Sequence, residues 1–216
     1  MKISDNNANS GPGSEHVPGQ KKGAQMDAVE RITLPNTEAA EAFYQLVRRR
    51  LLDIDRWGEM SKLPMSAFKL FDYAGRPAER QPADGDFIRI DIPGPGTRTG
   101  EGYDWVIVEE VREDKDENTE VTTLRVRPSG HPLGDSENTA HFLKDTATST
   151  FQVKRIGNEV TAEEHGRNEQ ANLETGNMLD NIRNAFVGFG AKLGFSYPQW
   201  KSLVAGLLDT AGDKEA

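Results

Sequence analysis

The sequence predicts an α+β fold: a curved antiparallel sheet of about seven strands gripping a long C-terminal helix, with an additional terminal helix. Three observations predict it. A short strand and one amphipathic helix come first, a long series of alternating segments runs from about Ser66 to Arg167, and helical periodicity returns near the C-terminus. Segments of period two separated by turn residues build antiparallel sheet, whereas spacings of three and four mark a helix with one buried face. A sheet curved around a helix usually encloses an apolar cavity, which bounds the function to binding in a pocket or on a sheet.

The chain has 216 residues, enough for a single core. Met1–Gln25 is rich in Asn, Ser, Gly, Pro and Lys and has no apolar cluster to offset the entropy of ordering. Residues 1–28 are therefore expected as a disordered tail, residues 29–208 as a single domain and residues 209–216 as a flexible end. The opening stretch lacks the apolar core of a secretory signal, and no run approaches the roughly 20 apolar residues of a membrane-spanning helix. Cysteine is absent, which removes disulfides, thiolate chemistry and cysteine-based zinc sites. A net charge of −9 opposes generic nucleic-acid binding, which depends on Lys and Arg neutralising phosphates. The expected location is cytoplasmic, as for a bacterial-type soluble protein.

The elements follow in order. Arg31–Leu34 reads as a strand stopped by Pro35. Asn36 or Thr37 caps a helix whose apolar positions are Ala39, Ala40, Phe43, Leu46, Val47 and Leu51. Arg48, Arg49 and Arg50 spread over roughly 200° of arc at its end, a solvated finish rather than a compact patch. Asp53–Gly58 reads as a short helix or turn ended by Gly58, with Trp57 able to plug the space between helices and sheet. Strands are predicted at Ala67–Asp72, Phe87–Ile92, Tyr103–Val111, Thr119–Arg127, Thr148–Arg155 and Glu159–His165. Ile88, Ile90 and Ile92 share one face of the cleanest of them. Tyr103, Trp105 and Ile107 face one way, Val106 and Val108 the other. The acidic run Glu109–Glu120 reads as a solvated hairpin loop, and Gly157-Asn158 as a tight two-residue turn. Pro128–Ala147 is either a lid-like excursion or holds a short helix near His141-Phe142-Leu143.

Leu179, Ile182, Phe186, Phe189 and Leu193 form one continuous helical seam, with Gly194 placed as a C-terminal cap. Ser196-Tyr197-Pro198-Gln199 has the make-up of a capping box, starting a last helix with Trp200, Leu203, Val204, Leu207 and Leu208 on its apolar face.

The element order β–α–α–β(six)–α resembles the START-like or SRPBCC superfamily, the helix-grip fold. Glu30–Pro35, the following amphipathic helix and Trp57 look like that superfamily's opening, and Thr150–Glu164 looks like its penultimate hairpin. The resemblance spans about residues 29–195. It implies a cavity between sheet and long helix, and a ligand class of lipids, hormones or polyketides, or else a cyclase, oxygenase or co-chaperone role. Two features depart from the pattern: the Gly- and Pro-rich Ile92–Trp105 excursion and the extra helix at Tyr197–Leu208.

Several residues are candidates for chemistry. The loop Pro93–Gly102 lacks a phosphate-binding pattern and reads as a bulge or a cavity-mouth loop. Tyr103 and Trp105 beside it would make an aromatic wall or simply core. His165, with Glu163 or Glu169 as orienter and Arg167 or Asn168 as anion stabiliser, is the one candidate for acid–base catalysis; the alternative is a polar strand end with Asn168 or Asn172 satisfying backbone groups. His131, His141 and His165 lack metal-ligand spacing, and no metal or cofactor is expected. The glycines around Phe189 are costly in a helix, about 1 kcal/mol each, so close packing or room for a ligand should offset them. The leading expectation is a non-enzymatic binding protein for a small hydrophobic or amphipathic molecule, lined by Ile88, Ile90, Tyr103, Trp105, Phe151, Phe186, Phe189 and Gly190, with His165 and Arg167 as polar anchors. The alternatives are a protein–protein interaction module using the terminal helix and, more distantly, a cyclase- or hydrolase-type enzyme.

Overall fold

A computed structural model describes residues 11–61, 66–91, 100–134, 139–172 and 197–210. Strand β1 (Ala24–Thr33) leads into helix α1 (Thr37–Leu51), and a 3-10 turn at Ile54–Arg56 leads into the short helix α2 (Trp57–Met60). Six strands follow: β2 (Ala67–Phe71), β3 (Phe87–Asp91), β4 (Asp104–Lys115), β5 (Thr119–Pro128), β6 (Thr148–Ile156) and β7 (Glu159–Glu169). They form one curved sheet in the order β1-β7-β6-β5-β4-β3-β2, every neighbouring pair antiparallel. Helix α3 covers residues 197–207. The expected seam Leu179–Leu193 and its cap Gly194 lie outside the described residues, as do residues 92–99 of the Gly/Pro excursion.

Alternation sorts the strands into two faces. On the inner face, Phe68, Ile88, Val106, Leu124, Phe151 and Val160 join one core with Phe43 and Val47 of α1 and Leu203 and Leu207 of α3. Trp57 fills the gap expected of it. It is fully buried, its indole N–H donates to the Leu51 carbonyl at 2.9 Å, and its ring meets Phe68, Phe151 and Trp200 at centroid distances of 5.4, 4.8 and 6.5 Å. The helix does not stop at Gly58 but runs on to Met60. There α3 approaches so closely that a Cβ on Gly206 would sit 2.0 Å from the Met60 carbonyl oxygen. Asn36 is the cap of α1, accepting from the Ala39 N–H at 2.8 Å.

Four expectations change. First, residues 11–28 are not a tail. Strand β1 begins at Ala24, and residues 11–23 lie on the outer sheet face. They hold by backbone groups and polar side chains such as His16 and Gln20 rather than by apolar side chains, which is why composition misses them. Gln152 donates to the Gly13 carbonyl at 2.7 Å, Arg125 donates to that of His16 at 3.0 Å, and the Lys21 and Lys22 N–H groups donate to Asn168. Residues 1–10 are outside the described set.

Second, most of Glu109–Glu120 is strand, with only residues 116–118 left to turn. A bulge at Glu109, between Val108 and Glu110, swings that carboxylate onto Arg125 and Arg127. Third, the arginine end of α1 is only partly solvated: Arg48 pairs with Glu113, and Arg50 donates to the Leu207 and Asp209 carbonyls at 2.8 Å, tying α1 to the end of α3. Fourth, Gln199 does not close a capping box. Its amide donates to the Ser61 hydroxyl at 3.2 Å. Among the described residues of the 128–147 connection there is no helix; Leu143 forms an isolated bridge with Ala171.

Candidate functional site

The expected lining residues divide between the two faces of the sheet. Ile88, Ile90 and Phe151 are buried on the inner face, where Phe151 meets Trp200 at 5.1 Å. Tyr103 and Trp105 belong to the outer face with Arg89, the cross-strand partner of Trp105. His165 and Arg167 are also on the outer face, at the other edge of the sheet. Phe186, Phe189 and Gly190 lie outside the described residues. No single pocket therefore joins the described members of the set.

The inner face carries a group that the sequence reading passed over. Glu164 follows Val160 and Ala162 at alternate positions of β7, with Phe151 and Ala28 as its cross-strand partners. It is completely buried, and neither carboxyl oxygen has a hydrogen-bond partner. Burial pushes its pKa well above the usual carboxylate value, and the Glu169 carboxylate pushes it further. The nearby Ser149 hydroxyl, outside hydrogen-bonding geometry, pulls the other way. Glu169 itself is raised by burial, against the pull of Arg167.

Local backbone brings these two carboxyls together. Asn168 adopts φ +57°, and the β1–β7 register shifts there, so that Glu169 folds back over Gly166. A Cβ on Gly166 would stand 2.6 Å from the Glu169 carboxylate oxygen. Buried carboxyls normally find partners. A carboxylic acid kept neutral by an apolar site can donate one hydrogen bond and accept another. The alternation of Val160, Ala162 and Glu164 is the signal that points inward.

His165 sits in a closed ionic cluster. Its Nδ1 is 2.5 Å from Asp27 and its Nε2 2.9 Å from Glu163. Arg167 donates to Asp27 at 2.7 Å and to the Met26 carbonyl at 3.0 Å, and Lys154 reaches Glu163 at 2.7 Å. Burial alone would raise the Glu163 carboxyl, but His165 and Lys154 hold it down at about 2. Glu163 thus holds the Nε2 side of the His165 ring. With both ring nitrogens facing carboxylates, however, His165 presents no free nitrogen to a substrate. The backbone-satisfying roles expected of Asn168 and Asn172 are present: Asn168 accepts from Lys21 and Lys22, and Asn172 donates to the Thr139 and His141 carbonyls. Among the described residues no group of three or more His, Asp or Glu is placed to hold a metal ion, and no helix among them is long and apolar enough to cross a membrane.

Near Trp105 the outer face is concave. A pocket of about 390 Å³ is lined by Phe71, Arg89, Tyr103, Trp105 and His131, with Glu101 and Leu133 also on its wall. A second hollow, of about 400 Å³, lies beside Arg49, Asp53, Ala78 and Arg80 and has a more charged wall.

No protein-family model matches the chain. No curated protein matches it either. Among solved structures, it is similar to a hypothetical protein of Helicobacter pylori, with 12% identity over 83% of this chain and 86% of the other and a TM-score of 0.41. It is also similar to the Zhui aromatase/cyclase of a Streptomyces species, with 10% identity over 88% and 99% and a TM-score of 0.38. A START superfamily protein of Mycobacterium smegmatis is 15% identical over 86% and 99%, with a TM-score of 0.35. The described elements, one strand, two helices, six antiparallel strands in a single open sheet and a C-terminal helix, make an α+β fold of the helix-grip kind.

Proposed function

We propose that the protein binds a small amphipathic molecule against the inner sheet face, with Glu164 as its polar anchor. The supporting observation is the buried Glu164 carboxyl, whose two oxygens find no partner on the face that also carries Ile88, Phe151 and Val160. Ligand sites are apolar surfaces bearing a few placed polar groups, and a lone protonated acid fits a ligand carbonyl or hydroxyl. Glu169, also favoured as the acid, stands close enough to supply a second contact. The ligand is then mostly apolar, carries one or two oxygens and bears no negative charge where it meets Glu164, because a second anion buried beside these carboxyls would be repelled by them.

Native mass spectrometry of the purified chain tests this, paired with titration of the uncharged dye Nile red. A co-purifying small molecule, or saturable dye binding, should be present in the wild type and reduced about tenfold or more in Glu164→Ala. Equal binding by the two proteins, or none by either, sinks the reading.

A further inference from the structure

Arg89 stands apart from the other arginines of the sheet. Arg112, Arg125, Arg127, Arg155 and Arg167 all pair with carboxylates. Arg89 makes no ion pair and no hydrogen bond among the described residues. Its guanidinium instead rests on aromatic rings, 4.3 Å from the Tyr103 centroid and 5.4 Å from that of Phe71. Ring faces hold a guanidinium through its flat surface and leave its N–H edge available.

That edge belongs to the outer-face pocket of about 390 Å³, in the size range of small-molecule sites. Trp105 forms its floor. The indole is almost fully buried, donates to the Gly100 carbonyl at 3.2 Å and packs edge-on against Phe71 at 5.0 Å and His131 at 4.8 Å. The His131 ring is fixed as well, since its Nδ1 accepts the Leu133 N–H at 3.1 Å. Its Nε2 has no hydrogen-bond partner among the described residues. Glu101, exposed, adds one negative charge to the wall without pairing with Arg89.

We infer that this pocket is a second ligand site, taking a flat aromatic molecule that bears a carboxylate. The ring stacks among Trp105, Phe71 and His131, and the carboxylate takes the N–H fork of Arg89. Each part of the wall accounts for one part of the ligand. The aromatic residues supply flat apolar contact. The guanidinium is already desolvated on one surface and oriented by the rings, so little is lost in ordering it, and a carboxylate matches its fork with two parallel hydrogen bonds. The site lies on the opposite sheet face from Glu164 and does not depend on the inner-face reading.

The test uses the whole chain, with 2-naphthoate as the probe and 2-naphthamide and acetate as comparisons. Binding is read by calorimetry and by the indole N–H resonances in a nitrogen–proton correlation spectrum. The acid should bind, the amide at least about tenfold more weakly, and acetate not measurably, because ring and charge are both needed. The Trp105 indole resonance should move while those of Trp57 and Trp200, which report the inner face, stay in place. Arg89→Ala should lose binding about tenfold or more, Arg89→Lys should fall between, and Glu101→Gln should bind the acid more tightly. The acid–amide comparison is made on the wild type and needs no variant to fold. Equal binding of acid and amide, no binding of the acid, or shifts at Trp57 and Trp200 in place of Trp105 would each overturn the proposal.

Discussion

Arg155 and Glu120 are cross-strand partners on the inner face of β6 and β5, and the arginine Nε donates to the carboxylate at 2.7 Å with both residues buried. The second carboxylate oxygen accepts from Lys115 at 2.8 Å, and the arginine Nη2 points toward Glu41 at 3.6 Å. Burial would raise the Glu120 carboxyl, but Lys115 and Arg155 hold it below its ordinary value. A charge stranded inside a core costs more than a pair held there. Arg155→Met and Glu120→Leu should therefore each destabilise the protein by about 3–5 kcal/mol, with the double variant recovering most of the loss. Urea denaturation of the four proteins checks this. Additive losses would mean that the pair is not coupled.

Glu164 gives a pH dependence of definite sign. Its folded-state pKa lies above the unfolded value, near 4.5. Below pH 4.5 both states are protonated, and the burial costs little. As pH rises past 4.5 the unfolded chain gains by ionising and the buried group does not, so stability is lost up to the folded pKa. Glu164→Gln, neutral at every pH, should match the wild type in melting temperature near pH 4 and exceed it near pH 8. A constant gap between the two proteins across that range would show that Glu164 titrates normally.

Glu163 works in the opposite direction. Its folded pKa is about 2, against 4.5 unfolded, so the ionised group stabilises the protein at neutral pH, and that contribution disappears as pH falls from 4.5 through 2. The shift corresponds to about 3 kcal/mol for this mostly buried carboxylate. Asp27 is lowered too, with burial opposing and Gln25, His165 and Arg167 holding it down, and adds to the same acid limb. Glu163→Gln should be less stable than the wild type at pH 7, and the difference should shrink toward pH 2. Chemical denaturation at several pH values between 2 and 7 measures it.

The strands were legible because alternation and turn residues agree. Ile88 and Ile90 between Asp84-Gly85 and Pro93-Gly94 leave few other options, and Gly157-Asn158 takes up the tight turn its residues favour. What alternation within one strand does not contain is register between strands. Trp105 shares a face with Arg89, not with Ile88, because the β3–β4 pairing puts it there, so a lining set assembled strand by strand mixed the two faces. Buried charge was hidden for a related reason. Arg155 and Glu164 sit at inward positions of their strands, but a polar letter reads as solvent-facing until its partner or its burial is known. The outer-face pocket needed both register and the cation–π geometry of Arg89, and neither has a sequence signature.

The ordering of residues 11–23 rests on Gly13, and this too can be tested. Gly13 has φ +78°, a conformation that side chains disfavour, and a Cβ there would lie 2.8 Å from Val121 Cγ1 and 2.9 Å from Gln152 Nε2. The same Gln152 nitrogen donates to the Gly13 carbonyl and to Thr123 at 2.9 Å, so a shift of the chain at this point also breaks a buried hydrogen bond. Gly13→Ala should cost about 1–3 kcal/mol from strain and the lost bond together. Gly19, whose Cβ would meet nothing within 4 Å and whose φ is not in the positive range, provides the control, and Gly19→Ala should be neutral. The local effect is read by trypsin, which cuts after Lys21 and Lys22. In the wild type their N–H groups are tied to Asn168, whose side chain in turn donates to the Gly19 carbonyl. Loosening the segment at Gly13 should speed cleavage there before the sheet itself unfolds, whereas a disordered segment would be cut equally fast in all three proteins.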